Sequence, residues 1–221
     1  MWHYVTTDQA GWTTLYSSDQ TDNAREIWDT LVGVYGWTEN SASAVLGNLQ
    51  AESYINPGQW EIGYNYSMSR GMGLGQWTPA TKVSNYVGSA DRDAMASGSK
   101  QMLLLVNNPG QYSTHYLDPD GSSDYYHETG LPYITNMEDF SHSTASVHDL
   151  TKLWAICWER PGSTDYTNSI GSRMTHADHW YNEFSGTEPQ PPTPVPPPTP
   201  EEVQAFLMMF FAKRRKRKLD K

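Results

Sequence analysis

The segment 41–79 constrains the fold more than any other part of the chain; it reads SASAVLGNLQAESYINPGQWEIGYNYSMSRGMGLGQWTP. Its first part carries apolar residues at helical spacing, namely Ala42, Val45, Leu46 and Leu49. Thr38 is the predicted N-cap of this helix. Asn56-Pro57-Gly58 then ends the helix and turns the chain. Three glycines follow, at 71, 73 and 75, and glycine lets a backbone approach a ligand closely. The segment therefore predicts an amphipathic helix that leads into a glycine-rich loop beside a cleft.

Glu52 lies at the C-terminal end of this predicted helix, on the same side as Val45 and Leu49. The helix macrodipole disfavours a negative charge at that end, and an apolar surface makes a charge costly. Both effects favour the protonated carboxyl, which is the form that a general acid needs near neutral pH. The alternative is a Glu52 that is solvated on the helix surface.

Aromatic and amide side chains are concentrated in the loop that follows the helix. We expect Tyr64, Gln76 and Trp77 to contact a substrate, because aromatic rings with polar edges suit the flat faces of sugars. Core packing is the competing interpretation for Trp77. Glu61 lies in the same loop, at the expected mouth of the cleft, and is either a second catalytic carboxylate or a solvated loop residue.

Three parts of this segment together resemble the phage tail lysozyme family: residues 44–53 (AVLGNLQAES), Asn56-Pro57 and residues 73–78 (GLGQWT). Members of that family are peptidoglycan-cleaving domains carried on phage tail tips. Residues 154–161 (WAICWERP), followed by Arg173, Ala177 and Trp180, extend the resemblance over about residues 23–184. The resemblance implies a lysozyme-like α+β fold, mainly helical. It also implies a virion protein that binds peptidoglycan and other phage tail proteins and acts on the host cell wall.

The activity that the resemblance implies is cleavage of the β-1,4 bond between MurNAc and GlcNAc, with Glu52 protonating the leaving-group oxygen. Glycoside hydrolysis usually pairs a protonated carboxyl with a second carboxylate, for which Glu61 is the nearest in sequence. Families that resemble goose lysozyme lack an obvious second carboxylate, and lytic transglycosylases use the sugar's own groups to form an anhydro product. Hydrolysis, transglycosylation and glycan binding without cleavage all stay open.

The chain divides into four predicted regions: an N-terminal arm (1–20), a lysozyme-like catalytic domain (21–186), a proline-rich linker (187–200) and an apolar and basic C-terminal segment (201–221). Proline-rich sequence favours an extended polyproline II spacer. The apolar run 203–212 is too short to span a membrane. Beside the Lys/Arg cluster 213–218 it can lie on an anionic membrane, or it can dock onto another tail protein.

Charge and composition exclude several other classes of function. Residues 201–221 hold seven basic and three acidic residues, whereas the other 200 hold eight basic and 22 acidic ones, a net charge of −14. A body this acidic argues against nucleic-acid binding. None of the seven histidines has a recognised zinc spacing, so neither a metal nor another cofactor is expected. The single cysteine, Cys157, is interpreted as a buried, inert thiol. The N-terminus lacks a secretion signal, so export by lysis, by a holin-like route or in a particle is expected.

Further helices are predicted from hydrophobic spacing. One spans residues 23–35, capped by Asp22, with Ile27, Leu31 and Val34 inward. Others span residues 79–86, 91–106 and 147–158, the last capped by Ser146.

The last predicted helix spans residues 168–184, with its inward face at Ile170, Met174, Ala177 and Tyr181. Residues 110–142 are predicted to form a long irregular insertion. Glu159 and Arg160 are interpreted as an ion pair or cap that ends a helix before Pro161, the alternative being a cleft wall that holds substrate.

Overall fold

The structure is a computed structural model that describes residues 1–6, 15–108, 111, 131, 134–160 and 163–189. These residues are mainly helical, which is compatible with the expected lysozyme-like domain. The helices are α1 (Ser17–Trp28), α2 (Glu39–Ser53), α3 (Thr81–Val87), α4 (Arg92–Met95), α5 (Gly98–Val106), α6 (Met137–Ser141), α7 (Val147–Trp154) and α8 (Ser163–Phe184). Two π-helical segments, Asp29–Val34 and Ala155–Glu159, continue α1 and α7.

Helix α2 lies at the centre of the domain, packed mainly against α8 and α7. Every residue from Ser41 to Leu49 is buried. The prediction of an amphipathic helix is therefore wrong for this stretch, because small residues such as Ser43 and Gly47 are covered by neighbouring helices as fully as the apolar ones. The last turn, which contains Glu52, is partly accessible, as are Glu39 and Asn40 at the start of the helix.

Two helix N-caps lie where the sequence predicted them. Thr38 caps α2 by accepting a hydrogen bond from the Ser41 amide at 3.2 Å, and Ser146 caps α7 by accepting from the Asp149 amide at 3.2 Å. Both predicted caps are confirmed. The predicted helix 91–106 is interrupted between α4 and α5, with Asp91 as the N-cap of α4.

Helix α1 differs from the prediction in its start and in its inward face. It begins at Ser17, so Asp22 lies inside the helix and is not its cap; its carboxylate contacts the His3 ring at 3.2 Å. Ile27 and Leu31 are buried as predicted, but Val34 is 54% exposed. The π-helical turn that begins at Asp29 widens the helix and shifts the register of the residues that follow.

The β component of the expected α+β fold is small. In the described part of the chain it is reduced to one antiparallel bridge, between Trp60 and Met72. The Glu61 amide donates to the Gly71 carbonyl at 2.9 Å beside this bridge. Left-handed backbone at Asn65 and Tyr66 interrupts the extended conformation that a longer ladder requires.

The ends of the described chain pack onto the helices. Trp2 lies against α5, where a Cβ atom at Gly98 would overlap with its indole ring. The Arg25 side chain donates to the Thr187 hydroxyl at 2.9 Å and to the Glu188 carbonyl at 2.7 Å. The rest of the predicted linker, the segment 201–221 and most of the predicted insertion lie outside the described residues. No described helix combines the length and apolarity that a membrane span needs.

Candidate active site

The residue that organises the candidate site is Arg173, which lies on α8 and faces α2. Its guanidinium donates to the Asn48 amide oxygen at 2.9 Å and to a Glu52 carboxylate oxygen at 2.5 Å. Its Nε donates to the Ser169 hydroxyl at 3.2 Å. Only 5% of Arg173 is exposed, and a charge this well buried needs partners of this kind.

The approach of α8 to α2 depends on Gly47. A Cβ atom at this position would lie 2.5 Å from the Arg173 carbonyl oxygen and 2.7 Å from the backbone nitrogen and Cβ of Ala177. Glycine therefore lets the two helices come close enough for the guanidinium to reach Asn48 and Glu52. Asn48 is itself fixed, since its amide donates to the carbonyls of Ala44 at 2.8 Å and Thr151 at 3.1 Å.

Glu52 lies at the boundary between the core and solvent. Its side chain is 19% exposed, whereas that of its partner Arg173 is 6% exposed. The neighbouring Ser53 hydroxyl donates to the Leu74 carbonyl at 2.9 Å, so the end of α2 is tied to the glycine-rich loop. The structure thus places the predicted acid beside the predicted loop, as the sequence indicated.

A second carboxyl lies near this ion pair, and it is Glu159. The π-helical turn that ends at Glu159 is followed by left-handed backbone at Arg160, and one carboxylate oxygen accepts from the Trp154 indole at 3.1 Å. Burial raises the pKa of Glu159 to about 8; the negative charge of Glu52 adds to the effect and Arg173 opposes it. Glu52, Arg173 and Glu159 therefore form a cluster within electrostatic range of one another, in which the described hydrogen bond is the one from Arg173 to Glu52.

The predicted pairing of Glu159 with Arg160 is wrong, because no ion pair joins them in the described part of the chain. Arg160 instead donates to the carbonyl of Cys157 at 3.3 Å and to that of Gln111. It therefore caps the helix end, which was the other part of the same interpretation.

Glu61 lies on the loop and has its own set of partners. One oxygen accepts from the Gly71 amide at 2.8 Å, and the other lies 3.7 Å from the Arg70 guanidinium. Arg70 also covers the Tyr64 ring, at 3.8 Å from its centroid. The structure thus brings Glu61 and Tyr64 together through Arg70. No described hydrogen bond or ion pair links Glu61 to Glu52.

Gln76 and Trp77 stabilise the glycine-rich loop from within. The Gln76 amide donates to the carbonyls of Gln59 at 3.2 Å and Gly73 at 3.1 Å, and Gln76 itself has left-handed backbone. Trp77 is 3% exposed, which favours core packing over a direct contact with sugar. Beneath the loop, the buried Gln101 amide accepts from the Leu74 amide at 2.8 Å.

Two members of the cluster, Arg173 and Glu159, were not among the predicted site residues. The sequence offers one indication of each residue. Glu159 lies in Glu159-Arg160-Pro161, and Arg173 lies in the set Arg173, Ala177 and Trp180; both carry the family resemblance. Within the described ranges, no three His, Cys, Asp or Glu side chains gather as a metal site requires. Cys157 is fully buried, so its thiol is not accessible as a nucleophile at the surface.

Comparison with known proteins adds two findings. The sequence profile of the phage tail lysozyme family matches residues 22–184. Morphogenesis protein 1 of Bacillus phage B103 is 32% identical over 176 residues, a match that covers 78% of this chain and 42% of that protein. The chain thus spans less than half the length of this relative. Because the family profile covers well over half of the chain, and the relative agrees with it, the chain belongs to the phage tail lysozyme family.

Proposed function

We propose that this protein is a peptidoglycan hydrolase that cleaves the β-1,4 bond between MurNAc and GlcNAc. We further propose that it is carried in the phage tail, with other tail proteins, to open the host cell wall during infection. Membership of the phage tail lysozyme family supports this proposal. The observation that carries it is a partly accessible Glu52, held at the C-terminal end of the central helix by a buried guanidinium.

In this proposal Glu52 protonates the glycosidic oxygen as the leaving group departs. The ion pair with Arg173 fixes the carboxyl in one orientation, which favours a productive geometry. Tyr64 and Gln76 border the loop that the glycan would contact, and Trp77 supports that loop from the core. Glu61 is the proposed second catalytic group, and Glu61→Gln tests this role separately because glutamine keeps the size but not the charge.

The experiment incubates the full chain with purified peptidoglycan and measures new reducing ends. Glu52→Gln keeps the size of the side chain but cannot supply a proton, so turnover should fall by about 100-fold or more. Glu183→Gln, an exposed change on α8, is the matched control and should cleave like the wild type. Retention of wild-type turnover by Glu52→Gln would show that another group is the acid.

The products distinguish the related reactions. Attack by water yields reducing MurNAc ends, which is the expected result by mass spectrometry. Products lighter by one water, with 1,6-anhydro ends, would identify a lytic transglycosylase acting on the same bond. An intact glycan with new free amines or cleaved stem peptides would refute both.

A structural role without catalysis is the second proposal, favoured by the name of the relative, Morphogenesis protein 1. In that case the chain binds peptidoglycan without releasing fragments. Co-sedimentation with peptidoglycan, with no new reducing ends at any pH, is the result that would support it.

The C-terminal segment 201–221 is the basis for a further proposed partner, an anionic membrane. Each basic residue near such a surface contributes about 1 kcal/mol to binding. Binding to anionic vesicles should therefore weaken as salt rises. Equal binding to neutral vesicles would contradict the electrostatic part of this proposal. Binding to neither, with loss of the protein from virions on deletion of 201–221, would favour docking onto the tail.

A further inference from the structure

We propose that Asn23 and Asn56 are positioning residues, which use the N-terminal arm to hold the turn that follows Glu52. The arm is the described segment 1–6, and the turn is the segment 54–58. The turn begins two residues after Glu52, directly behind the last residue of α2. This inference rests on the proposed function, because it concerns the position of the proposed acid.

The turn contains two consecutive residues with left-handed backbone. Tyr54 has a φ of 54° and Ile55 has a φ of 56°. A side chain makes this conformation unfavourable, and a β-branched side chain such as that of Ile55 makes it more so. Backbone of this kind persists only where its surroundings hold it. The contacts around these two residues therefore decide how α2 ends.

Two side chains of α1 hold the carbonyl groups of the left-handed residues. The Gln20 amide donates to the Tyr54 carbonyl at 2.9 Å, and the Asn23 amide donates to the Ile55 carbonyl at 2.9 Å. Asn23 is fully buried, so a partner lost there would leave a buried polar group unsatisfied. Both left-handed residues are thus fixed by a neighbouring helix.

The arm completes the hydrogen bonds of both asparagines. The His3 amide donates to the Asn23 side-chain oxygen at 2.8 Å, and the Asn23 side chain donates back to the His3 carbonyl at 2.8 Å. Asn56 makes the same pair of hydrogen bonds with Val5, at 3.1 Å and 2.8 Å. Each asparagine therefore binds one residue of the arm through both of its backbone groups, as a residue of an adjacent β-strand would.

Asn56 also connects the arm to the turn itself. Its side-chain oxygen accepts from the Gly58 amide at 2.9 Å, and Asn56 is fully buried. A Cβ atom at Gly58 would lie 2.8 Å from the Val5 carbonyl oxygen, so the arm runs directly against the turn. Moving the arm away would leave polar groups of both asparagines buried without partners, which is unfavourable. The arm, Asn23 and Asn56 thus act together as a clamp on the turn.

The consequence for catalysis lies in the backbone that carries Glu52. Arg173 fixes the carboxyl of Glu52, whereas the clamp fixes the end of the helix from which that side chain projects. Without the clamp, Tyr54 and Ile55 can leave the left-handed region and the last turn of α2 can unwind. The carboxyl would then be misplaced for protonating the glycosidic oxygen, which lowers kcat more than it changes KM.

The first test removes one backbone donor of the arm from the full chain. Val5→Pro takes away the amide that donates to Asn56 but keeps the carbonyl, because proline has no N–H. At a temperature where circular dichroism shows a folded chain, we expect kcat on peptidoglycan to fall about tenfold or more, with little change in KM. The matched control is Val5→Ala, which keeps both backbone groups and changes a side chain that is 37% exposed, so it should keep the wild-type kcat. Wild-type kcat in Val5→Pro, or a change in KM alone, would overturn the proposal.

The second test uses Gln20→Met, which also covers the case in which Val5→Pro does not fold. Methionine has nearly the size of glutamine but cannot donate to the Tyr54 carbonyl, and Gln20 is only partly buried. Hydrogen exchange measured by mass spectrometry should be faster in the turn than in the wild type, with exchange in α8 unchanged, and kcat should fall. Wild-type exchange in the turn, or wild-type kcat, would contradict the proposed role of the clamp.

These measurements separate the inference from the proposed function, because hydrogen exchange does not depend on activity. If the wild type cleaves glycan and both folded variants cleave it equally well, the inference fails and the proposed function stands. If the wild type cleaves no glycan at any pH while exchange in the turn rises in the variants, the proposed function fails. The catalytic role of the clamp then fails with it.

Discussion

The contact between α2 and α8 at Gly47 makes the sharpest prediction about stability. Gly47→Ala adds one methyl group at a fully buried helix crossing. Its carbon would lie 2.5 Å from the Arg173 carbonyl oxygen and 2.7 Å from the Ala177 nitrogen and Cβ. These atoms are backbone or the first side-chain carbon, so no rotamer change can relieve the overlap.

The size of the effect follows from two opposing terms. Contacts between carbon atoms are favourable at about 3.5–4.0 Å, so the helices must separate by about 1 Å. Overpacking of this kind costs about 1–3 kcal/mol. Alanine is a better helix former than glycine by about 1 kcal/mol, which offsets part of that cost. We therefore expect Gly47→Ala to reduce the free energy of unfolding by up to about 2 kcal/mol.

The matched control is Gly171→Ala, because Gly171 lies within α8, is exposed, and has nothing within 4 Å of the position that a Cβ would take. At Gly171 only the difference in helix propensity between alanine and glycine applies, so this change should stabilise the protein by up to about 1 kcal/mol. Thermal unfolding should separate the two variants, since 1 kcal/mol shifts the Tm of a chain of this size by about 2–4 °C.

The same substitution should also lower activity. The overlap falls on the backbone of Arg173, so separation of the helices lengthens the contact between its guanidinium and Glu52. Turnover of Gly47→Ala should fall even at temperatures where the protein is fully folded, whereas Gly171→Ala should turn over like the wild type. If Gly47→Ala were as stable as Gly171→Ala, the close helix contact described above would be wrong.

Three further predictions follow from the buried polar groups. The pKa of Glu159 is raised from 4.5 to about 8, so the unfolded chain releases this proton at lower pH than the folded one. The free energy of unfolding should therefore fall as pH rises between those values, by at most about 1.4 kcal/mol per pH unit. Urea unfolding should show this slope in the wild type and a smaller one in Glu159→Gln. Gln101→Leu leaves three buried backbone groups without their hydrogen bonds, so it should lower the free energy of unfolding by about 2–4 kcal/mol. A decrease below about 1 kcal/mol in the same urea assay would contradict the role of this amide. Arg173→Lys keeps the charge but cannot donate to Asn48 and Glu52 with the planar geometry of a guanidinium, so kcat should fall about tenfold or more. An unchanged kcat would mean that these two hydrogen bonds do not position Glu52.

Features set by neighbouring residues could be predicted from the sequence. The caps Thr38 and Ser146 depend on a hydroxyl and an amide three residues later, so a short sequence is enough to identify them. The helix carrying Glu52 was also identified, but it ends at Ser53 with left-handed backbone at Tyr54, before the predicted stop at Asn56. The hydrogen bond from Ser53 to Leu74 joins residues 21 positions apart, so neighbouring residues do not predict it.

The inward face of α8 could not be predicted by the same reasoning. Counting apolar residues placed Ile170, Met174, Ala177 and Tyr181 inside, and of these Ala177 is buried as predicted. The buried face is completed by Arg173, Trp180 and Phe184. A buried arginine is favourable only where its partners are supplied. Those partners are Asn48 and Glu52, more than 100 residues away in the sequence. Hydrophobic spacing within one helix holds no information about them.

The contacts between α2 and α8 explain the spacing of the motif LGN-x-x-x-ES, which is formed by residues 46–53. Asn48 and Glu52 are four residues apart, so they share one face of the helix and reach the same guanidinium. Gly47 precedes them at the point where the backbones cross, and Ser53 follows to join the helix end to the loop. Because one residue corresponds to a rotation of about 100° around a helix, moving the acid by one residue would lose the guanidinium. A chain with this motif but without an arginine on the facing helix would leave the acid without the cation that holds it.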